Sequence, residues 1–359
     1  MMRLIGTLLL ILITSGCAST KKTVLLNDTQ SIYDANKTLE YVLNDPDPRM
    51  LLDLIDKEAS ETYAKDEIGI SEEEFALNSA IVTIAALKGL SRFDHVVYSH
   101  SRTQGNYWYS HYIFSNNNGS YALVDLVLTK QGKKLVDVHN HVFRSSVVNY
   151  LGEYEKHIEQ KGYDDALTKI EEQIENNDPQ SALEHYLALP EEVRMLGVVH
   201  ESLFRFIKRC SSEAYQAFCN RVLSDSQHEY QGLLRANLYS NLNEYAKALS
   251  EYEQVPEAIR SSAPILMEEA VLQARQGNKR EGFALALDAL YRASGHSYGY
   301  LMLLQVSLFS GEHEFSAELL SFIKKTFEIQ FTEQELADFS GDSGFIQSDQ
   351  YAQFKLSYF

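Results

Sequence analysis

The sequence predicts a mainly α protein, in which a solenoid of stacked helical hairpins follows a small α+β domain with a four-stranded antiparallel meander. Three observations carry this. Beyond residue 146, small residues recur at Ala182, Ala214, Ala248, Gly282 and Ser316, in steps of 32, 34, 34 and 34. Four residues after each stand Tyr186, Phe218, Tyr252, Ala286 and Leu320, one helical turn further along the same face. Between about 93 and 143 the apolar period drops from helical to two, the period of a strand. The chain has 359 residues, 45% of them apolar, enough for two domains and too many apolar residues for a disordered chain.

Residues 1–16 read as a signal peptide. Arg3 precedes an apolar run from Leu4 to Ile13, and the small residues Ser15 and Gly16 follow. The run is shorter than the roughly 20 residues of a membrane-spanning helix. Ser15-Gly16-Cys17 resembles the lipobox of bacterial lipoproteins, with Thr14 where that family usually carries Leu. The resemblance implies that Cys17 is the lipid attachment site. Its thiol would be diacylated, the chain cut before it, and the new amine acylated. Ala18 stands where the family's retention signals carry Asp, which implies an outer-membrane protein on the periplasmic face of a Gram-negative envelope. More than one acyl chain makes such an anchor stable without a spanning helix. Residues 17–30 then form a lipidated tether, with Lys21 and Lys22 near the headgroups.

The charge balance narrows the partners. Cleavage removes only Arg3, leaving 31 basic against 50 acidic residues. That excess argues against nucleic-acid binding driven by phosphate contacts. Three cysteines are too few for a disulfide scaffold or a four-cysteine zinc site. Cys210 and Cys219 read as two small buried thiols, because helical rise sets them roughly 10 Å or more apart.

Residues 31–145 form the predicted α+β domain. The stretch 31–90 is helical, broken at Asp45-Pro46-Asp47-Pro48, and Ser71 with Glu74 makes a capping box before Phe75, Val82, Ala85 and Ala86. Strands are predicted from Phe93 to Arg102, Tyr107 to Ser115, Tyr121 to Leu128 and Leu135 to Phe143. Turn residues separate them at Thr103-Gln104-Gly105, Asn116-Asn117-Asn118-Gly119 and Gln131-Gly132-Lys133. In the third strand Ala122, Val124, Leu126 and Leu128 share one side. This element order resembles the nuclear-transport-factor-like cone, which implies a small-molecule pocket lined by Trp108, Tyr109, Tyr112, His139 and His141.

Residues 146–340 carry the repeats. Asn243, Gly277 and Gly311 each stand five residues before the small position, as turn residues. A period of 34, with a small residue and then a bulky one a turn later, resembles tetratricopeptide repeats. Tyr239 and Ala236 fit the first-helix pattern of the third pair, and Ala270 that of the fourth. Gly232, Leu266 and Tyr300 stand where the family has Trp, and no family Pro ends each repeat. About five hairpins fit between 164 and 327. Residues 341–359 form a C-terminal cap, with Phe345, Tyr351, Phe354 and Phe359 covering the last helix face.

Two sets of residues invite a functional reading. The family resemblance places Tyr230, Asn237, Asn241, Arg275, Tyr298 and Gln305 on the concave side of the repeats. Amides and a guanidinium there suit peptide backbone and carboxylates. Separately, Asp137, His139 and His141 alternate along a strand and share a face with Leu135 and Phe143. His95, His100 and His111 lie in neighbouring strands. Imidazole and carboxylate can ligate zinc or move protons, but His-x-His in a strand reads first as a solvated or cavity-lining face. Gly341-Asp342-Ser343-Gly344 matches the nucleophile motif of chymotrypsin-like proteases, yet it follows helices and has no matching histidine motif, so it reads as a turn. The expectation is therefore a non-enzymatic envelope lipoprotein with no cofactor and no metal. It would bind an envelope protein or extended peptide as a scaffold or assembly factor. The alternative is a ligand-binding or enzymatic α+β domain that the repeats present.

Overall fold

The computed structural model describes residues 31–44, 54–68, 83, 90, 93–116, 121–131, 133–142, 145–153, 162–196, 199, 203, 212–225, 232–292 and 297–358. The expected signal peptide, Cys17, the tether, the Asp-Pro break, the Ser71 capping box, Cys210, Tyr230 and Phe359 lie outside these residues. The described chain is mainly helical, with an antiparallel sheet near the N-terminus followed by many helices. Among the described residues, no helix is long and apolar enough to cross a membrane. The chain divides into two compact units, Met1–Phe114 with Ala122–Gln227, and Ser115–Tyr121 with His228–Phe359.

The first unit is built on the sheet. Helix α1 (Ile32–Asn44) starts at Ser31, whose hydroxyl accepts the Asp34 N–H at 3.1 Å. It buries Ala35, Leu39, Val42 and Leu43, one apolar stripe at helical spacing. Its last residue, Asn44, pairs with both backbone groups of Val96, at 2.9 and 3.0 Å. Helix α2 is Lys57–Ile68. The strands are β1 (His95–Gln104), β2 (Tyr107–Ser115), β3 (Tyr121–Thr129), β4 (Leu135–Asn140) and β5 (Ser145–Ser146), paired in that order. The predicted meander is thus present, extended by a two-residue fifth strand. The last predicted strand is shorter at its far end: Asn140 closes β4, and His141 still donates its N–H to Leu123 at 3.0 Å.

Both sheet faces are covered. Tyr98, Tyr112, Phe114, Val124, Leu126 and Val138 pack with α1 on one. Tyr107, Tyr109, Val127 and Val136 pack with Tyr63 and Ala64 of α2 and Val148 of α3 (Val147–Glu153) on the other. One irregularity matters. The β3–β4 register shifts between Val127 and Leu128, so Val127 faces Asp137 while Leu128 faces Leu135. The extra residue, Val136, turns Leu135 onto the α1 face, away from Asp137 and His139. Leu135 therefore does not share the histidine face, contrary to a strict period of two.

The remaining helices are α4 (Asp164–Glu175), α5 (Pro179–Ala188), α6 (Glu191–Arg194) and α7 (Ser212–Asp225) in the first unit. In the second they are α8 (Gly232–Asn241), α9 (Tyr245–Tyr252), α10 (Glu257–Arg260), α11 (Ala263–Arg275), α12 (Lys279–Arg292), α13 (Ser297–Phe309), α14 (His313–Phe327), α15 (Glu333–Ser340) and α16 (Asp349–Tyr358). Pairs α4–α5, α8–α9, α11–α12 and α13–α14 are antiparallel neighbours in sequence that pack on each other.

One turn joins each of these pairs. Asn177, Asn243, Gly277 and Gly311 all have positive φ, between 58° and 86°. The next residue's N–H reaches back five positions in every case: Asp178 to Gln173, Glu244 to Tyr239, Asn278 to Gln273 and Glu312 to Ser307, each 2.9 Å. This left-handed closure satisfies the carbonyls left over at a helix end. It explains why only Asn and Gly occupy the position. The small residue five positions on sits at the helix contact, and Ala182, Ala248 and Ser316 are buried. At Gly282 an added Cβ would lie 2.9 Å from the Ala270 carbonyl oxygen and 3.3 Å from the Ala274 nitrogen. The residues four positions on, Tyr186, Phe218, Tyr252 and Leu320, with a small Ala286 in the fourth pair, are all buried. Cys219, next to Phe218, is buried on α7. At the C-terminus Phe345, Tyr351, Phe354 and Tyr358 join the core formed with α11, α13, α14 and α15.

Candidate functional site

A cavity of about 330 Å³ opens in the second unit. Most of its lining comes from three helices, each the first of its pair, with Asn243 from a turn and Tyr252 from α9 completing it. Helix α8 contributes Asn237, Ser240 and Asn241, α11 contributes Glu268, Val271, Leu272 and Arg275, and α13 contributes Met302 and Gln305. Four of the six residues expected to bind a partner, Asn237, Asn241, Arg275 and Gln305, therefore meet in one cavity although they span 69 positions of sequence. The fifth, Tyr298, is 3% exposed and sits in the core of the unit. Helix α13 explains that placement: Leu301, Leu303, Leu304, Val306 and Leu308 are all buried, so the helix is covered on nearly every side. The sixth, Tyr230, lies outside the described residues.

The cavity is polar and organised. The Arg275 guanidinium lies 3.7 Å above the Phe309 ring and donates to the Tyr245 hydroxyl at 2.8 Å. Stacking plus one hydrogen bond holds it flat while leaving donors for a ligand. Asp342 is 3.8 Å away and exposed, a weak competitor in water. The Tyr252 hydroxyl donates to Glu268. Burial first, and then the Glu268 charge, push the Tyr252 and Tyr298 phenols well above their ordinary pKa, so both stay protonated donors. The Asn241 side-chain amide donates to the Asn237 backbone carbonyl at 2.8 Å, which fixes its rotamer. The set offers amides for peptide groups, a cation for a carboxylate and an anion for a donor.

A second cluster lies on the α2 face of the sheet. His111 Nδ1 and His141 Nε2 approach the same oxygen, Asp125 Oδ1, at 3.0 and 2.9 Å. His111 comes from β2, Asp125 from β3, and His141 from the turn after β4. Arg102 holds the other carboxylate oxygen at 3.2 Å and stacks 4.3 Å above the Tyr109 ring. His100 lies 5.1 Å from the His111 ring, and His139 lies 5.3 Å from His141. His100 reaches this face because alternation breaks in β1: Tyr98 and Ser101 both turn toward α1, bonded to each other at 2.9 Å. Burial opposes the Asp125 charge, but hydrogen bonds from His111 and His141 outweigh it and hold the carboxyl far below its usual range. Burial pushes His111 below its ordinary pKa, against the pull of Asp125.

The structure separates the residues expected to line a cone pocket. Tyr112 and Trp108 pack on the α1 side, where the Tyr112 hydroxyl donates to Asn36 at 2.7 Å. Tyr109, His139 and His141 are on the other side. Asp137 is buried there too, and its Oδ1 accepts the N–H groups of Val138 and Val148 at 2.8 and 3.2 Å. It ties β4 to α3 and stays apart from the Asp125 cluster. His95 opens β1, five residues before His100. Asp125 itself escaped the sequence reading. Its signal was present, since Leu123, Val124, Leu126 and Val127 flank it and make both faces of β3 apolar.

No protein-family model, no curated protein and no solved structure matches the chain.

Proposed function

We propose that the chain is a lipid-anchored cell-envelope scaffold that holds an extended polypeptide segment in the cavity between α8, α11 and α13. The reading combines a lipobox-like Cys17, which would anchor it on the periplasmic face of the outer membrane, with a solenoid of repeats whose first helices line the concave side. The observation that supports it best is the convergence of Asn237, Asn241, Arg275 and Gln305, from three helices, on one polar cavity. Amide side chains there would pair with the backbone of an extended segment, and Arg275 would take a carboxylate. The protein performs no chemistry in this reading.

Photo-crosslinkers at residues 237 and 275 in intact cells test it. The expected result is one dominant polypeptide attached at both positions and absent when the probe is moved to exposed Tyr291 on α12. Absence of any adduct at 237 and 275, with the chain folded and anchored, would overturn the proposal.

A further inference from the structure

The Asp125 cluster is built more elaborately than a sheet face requires. Three side chains from three separate elements bring potential ligand atoms within 4.8 Å of one another. All three are withdrawn from solvent, with His111 at 1%, Asp125 at 2% and His141 at 14% exposure. Two nitrogens face one carboxylate oxygen. His111 Nδ1 and His141 Nε2 stand 3.0 and 2.9 Å from that oxygen, so all three candidate ligand atoms point at one spot.

We infer that His111, Asp125 and His141 form a binding site for a single divalent transition-metal ion of the zinc type. Two imidazoles and one carboxylate are a borderline donor set. It suits Zn²⁺ and its first-row neighbours and is poor for Mg²⁺ or Ca²⁺, which take oxygen ligands. Ligands about 2.0–2.2 Å from a tetrahedral zinc stand roughly 3.4 Å apart, so each nitrogen, now 3.0 or 2.9 Å from Asp125 Oδ1, would draw back from it by roughly half an ångström. Three protein ligands leave a fourth position for water or a small ligand. The surroundings also fit. Arg102, set on the Tyr109 ring, holds Asp125 Oδ2 and so directs Oδ1 at the two histidines, the orienting role that outer groups play at metal sites. The site draws on β2, β3 and the turn after β4.

The test uses the full chain after chelator treatment, titrated with Zn²⁺ by calorimetry and with Co²⁺ by visible absorption. The expected result is one Zn²⁺ per chain. Bound Co²⁺ should show the intense bands of a four- or five-coordinate site, and excess Mg²⁺ should not displace the metal. His141→Ala and Asp125→Asn should each weaken binding at least about 100-fold, with unchanged far-ultraviolet circular dichroism. His139→Ala should bind as the wild type does. Failure of the folded wild-type chain to bind Zn²⁺ would overturn the inference and leave a hydrogen-bonded polar network. So would full binding by His141→Ala, or loss of binding with His139→Ala. If a ligand substitution unfolds the chain, the wild-type Co²⁺ spectrum decides.

Discussion

Gly282 offers the sharpest check on why the hairpins need a small residue. A Cβ built there meets the Ala270 carbonyl oxygen at 2.9 Å, the Ala274 nitrogen at 3.3 Å and the Ala274 Cβ at 3.5 Å. All three are backbone or Cβ atoms and cannot swing aside. Ordinary contact begins near 3.4 Å, so α11 and α12 must part by about half an ångström to admit one methyl. Overpacking of this kind costs about 1–3 kcal/mol, while alanine gains about 1 kcal/mol over glycine in a helix interior. Gly282→Ala should therefore lose up to about 2 kcal/mol, and Gly282→Leu about 3 kcal/mol or more. Gly299 on α13 is the control. Its Cβ would also meet an atom at 2.9 Å, but that atom is Leu290 Cδ1, the end of a flexible side chain. Gly299→Ala should be neutral or stabilising by up to about 1 kcal/mol. Thermal and urea unfolding, followed by circular dichroism, measure both. An unchanged midpoint for Gly282→Leu, or a larger loss for Gly299→Ala than for Gly282→Ala, would refute the argument.

Three further outcomes follow from the same structure. Arg260 makes a two-pronged bond to Glu269 at 2.9 and 2.8 Å, and Glu269 is buried. Arg260→Leu should cost about 2–3 kcal/mol in urea unfolding, less than a fully buried pair because the guanidinium is partly exposed, and Glu269→Leu added to it should recover most of the loss. Burial raises the Asp137 carboxyl to about 7 against hydrogen bonds from Ser146 and backbone groups. The folded state thus holds that proton more tightly than the unfolded one. Its stabilising effect is complete below about pH 4 and is lost as pH rises through 7. Asp137→Asn should match the wild type at pH 4 and exceed it at pH 8 by up to about 4 kcal/mol, measured by unfolding at both values. Cys17→Ser should abolish palmitate labelling in cells and release the chain from the membrane fraction, as the lipobox reading requires.

Much of this architecture is written in local patterns. The predicted strand from Tyr107 to Ser115 matches β2 residue for residue, and Tyr121 to Leu128 differs from β3 by one residue, because short polar turns bracket clear period-two runs. The turns at Asn243, Gly277 and Gly311 were legible because left-handed backbone selects Asn and Gly. Asn177 adopts the same geometry but precedes a step of 32 rather than 34, which blurs the pattern. Other features depend on what packs above. The bulge at Val136 moves Leu135 to the opposite face, and no residue type announces it. Tyr298 is expected on the concave side, but α13 is buried on nearly every side and takes it into the core. Asp125 passed unremarked in the sequence, although both faces of β3 are covered and bury it. A charge buried in that way must find partners, and His111, His141 and Arg102 are those partners.

The central claim is that Asn237, Asn241 and Arg275 hold a polypeptide. Its most direct test is calorimetric titration of the segment captured by the 237 and 275 crosslinkers into the wild-type chain and into Asn237→Ala/Asn241→Ala/Arg275→Ala. Two neutral hydrogen-bonding side chains and one charged one, at about 1 and 2 kcal/mol each, predict a loss of at least about 100-fold in affinity. Equal affinity for the two chains would contradict the account.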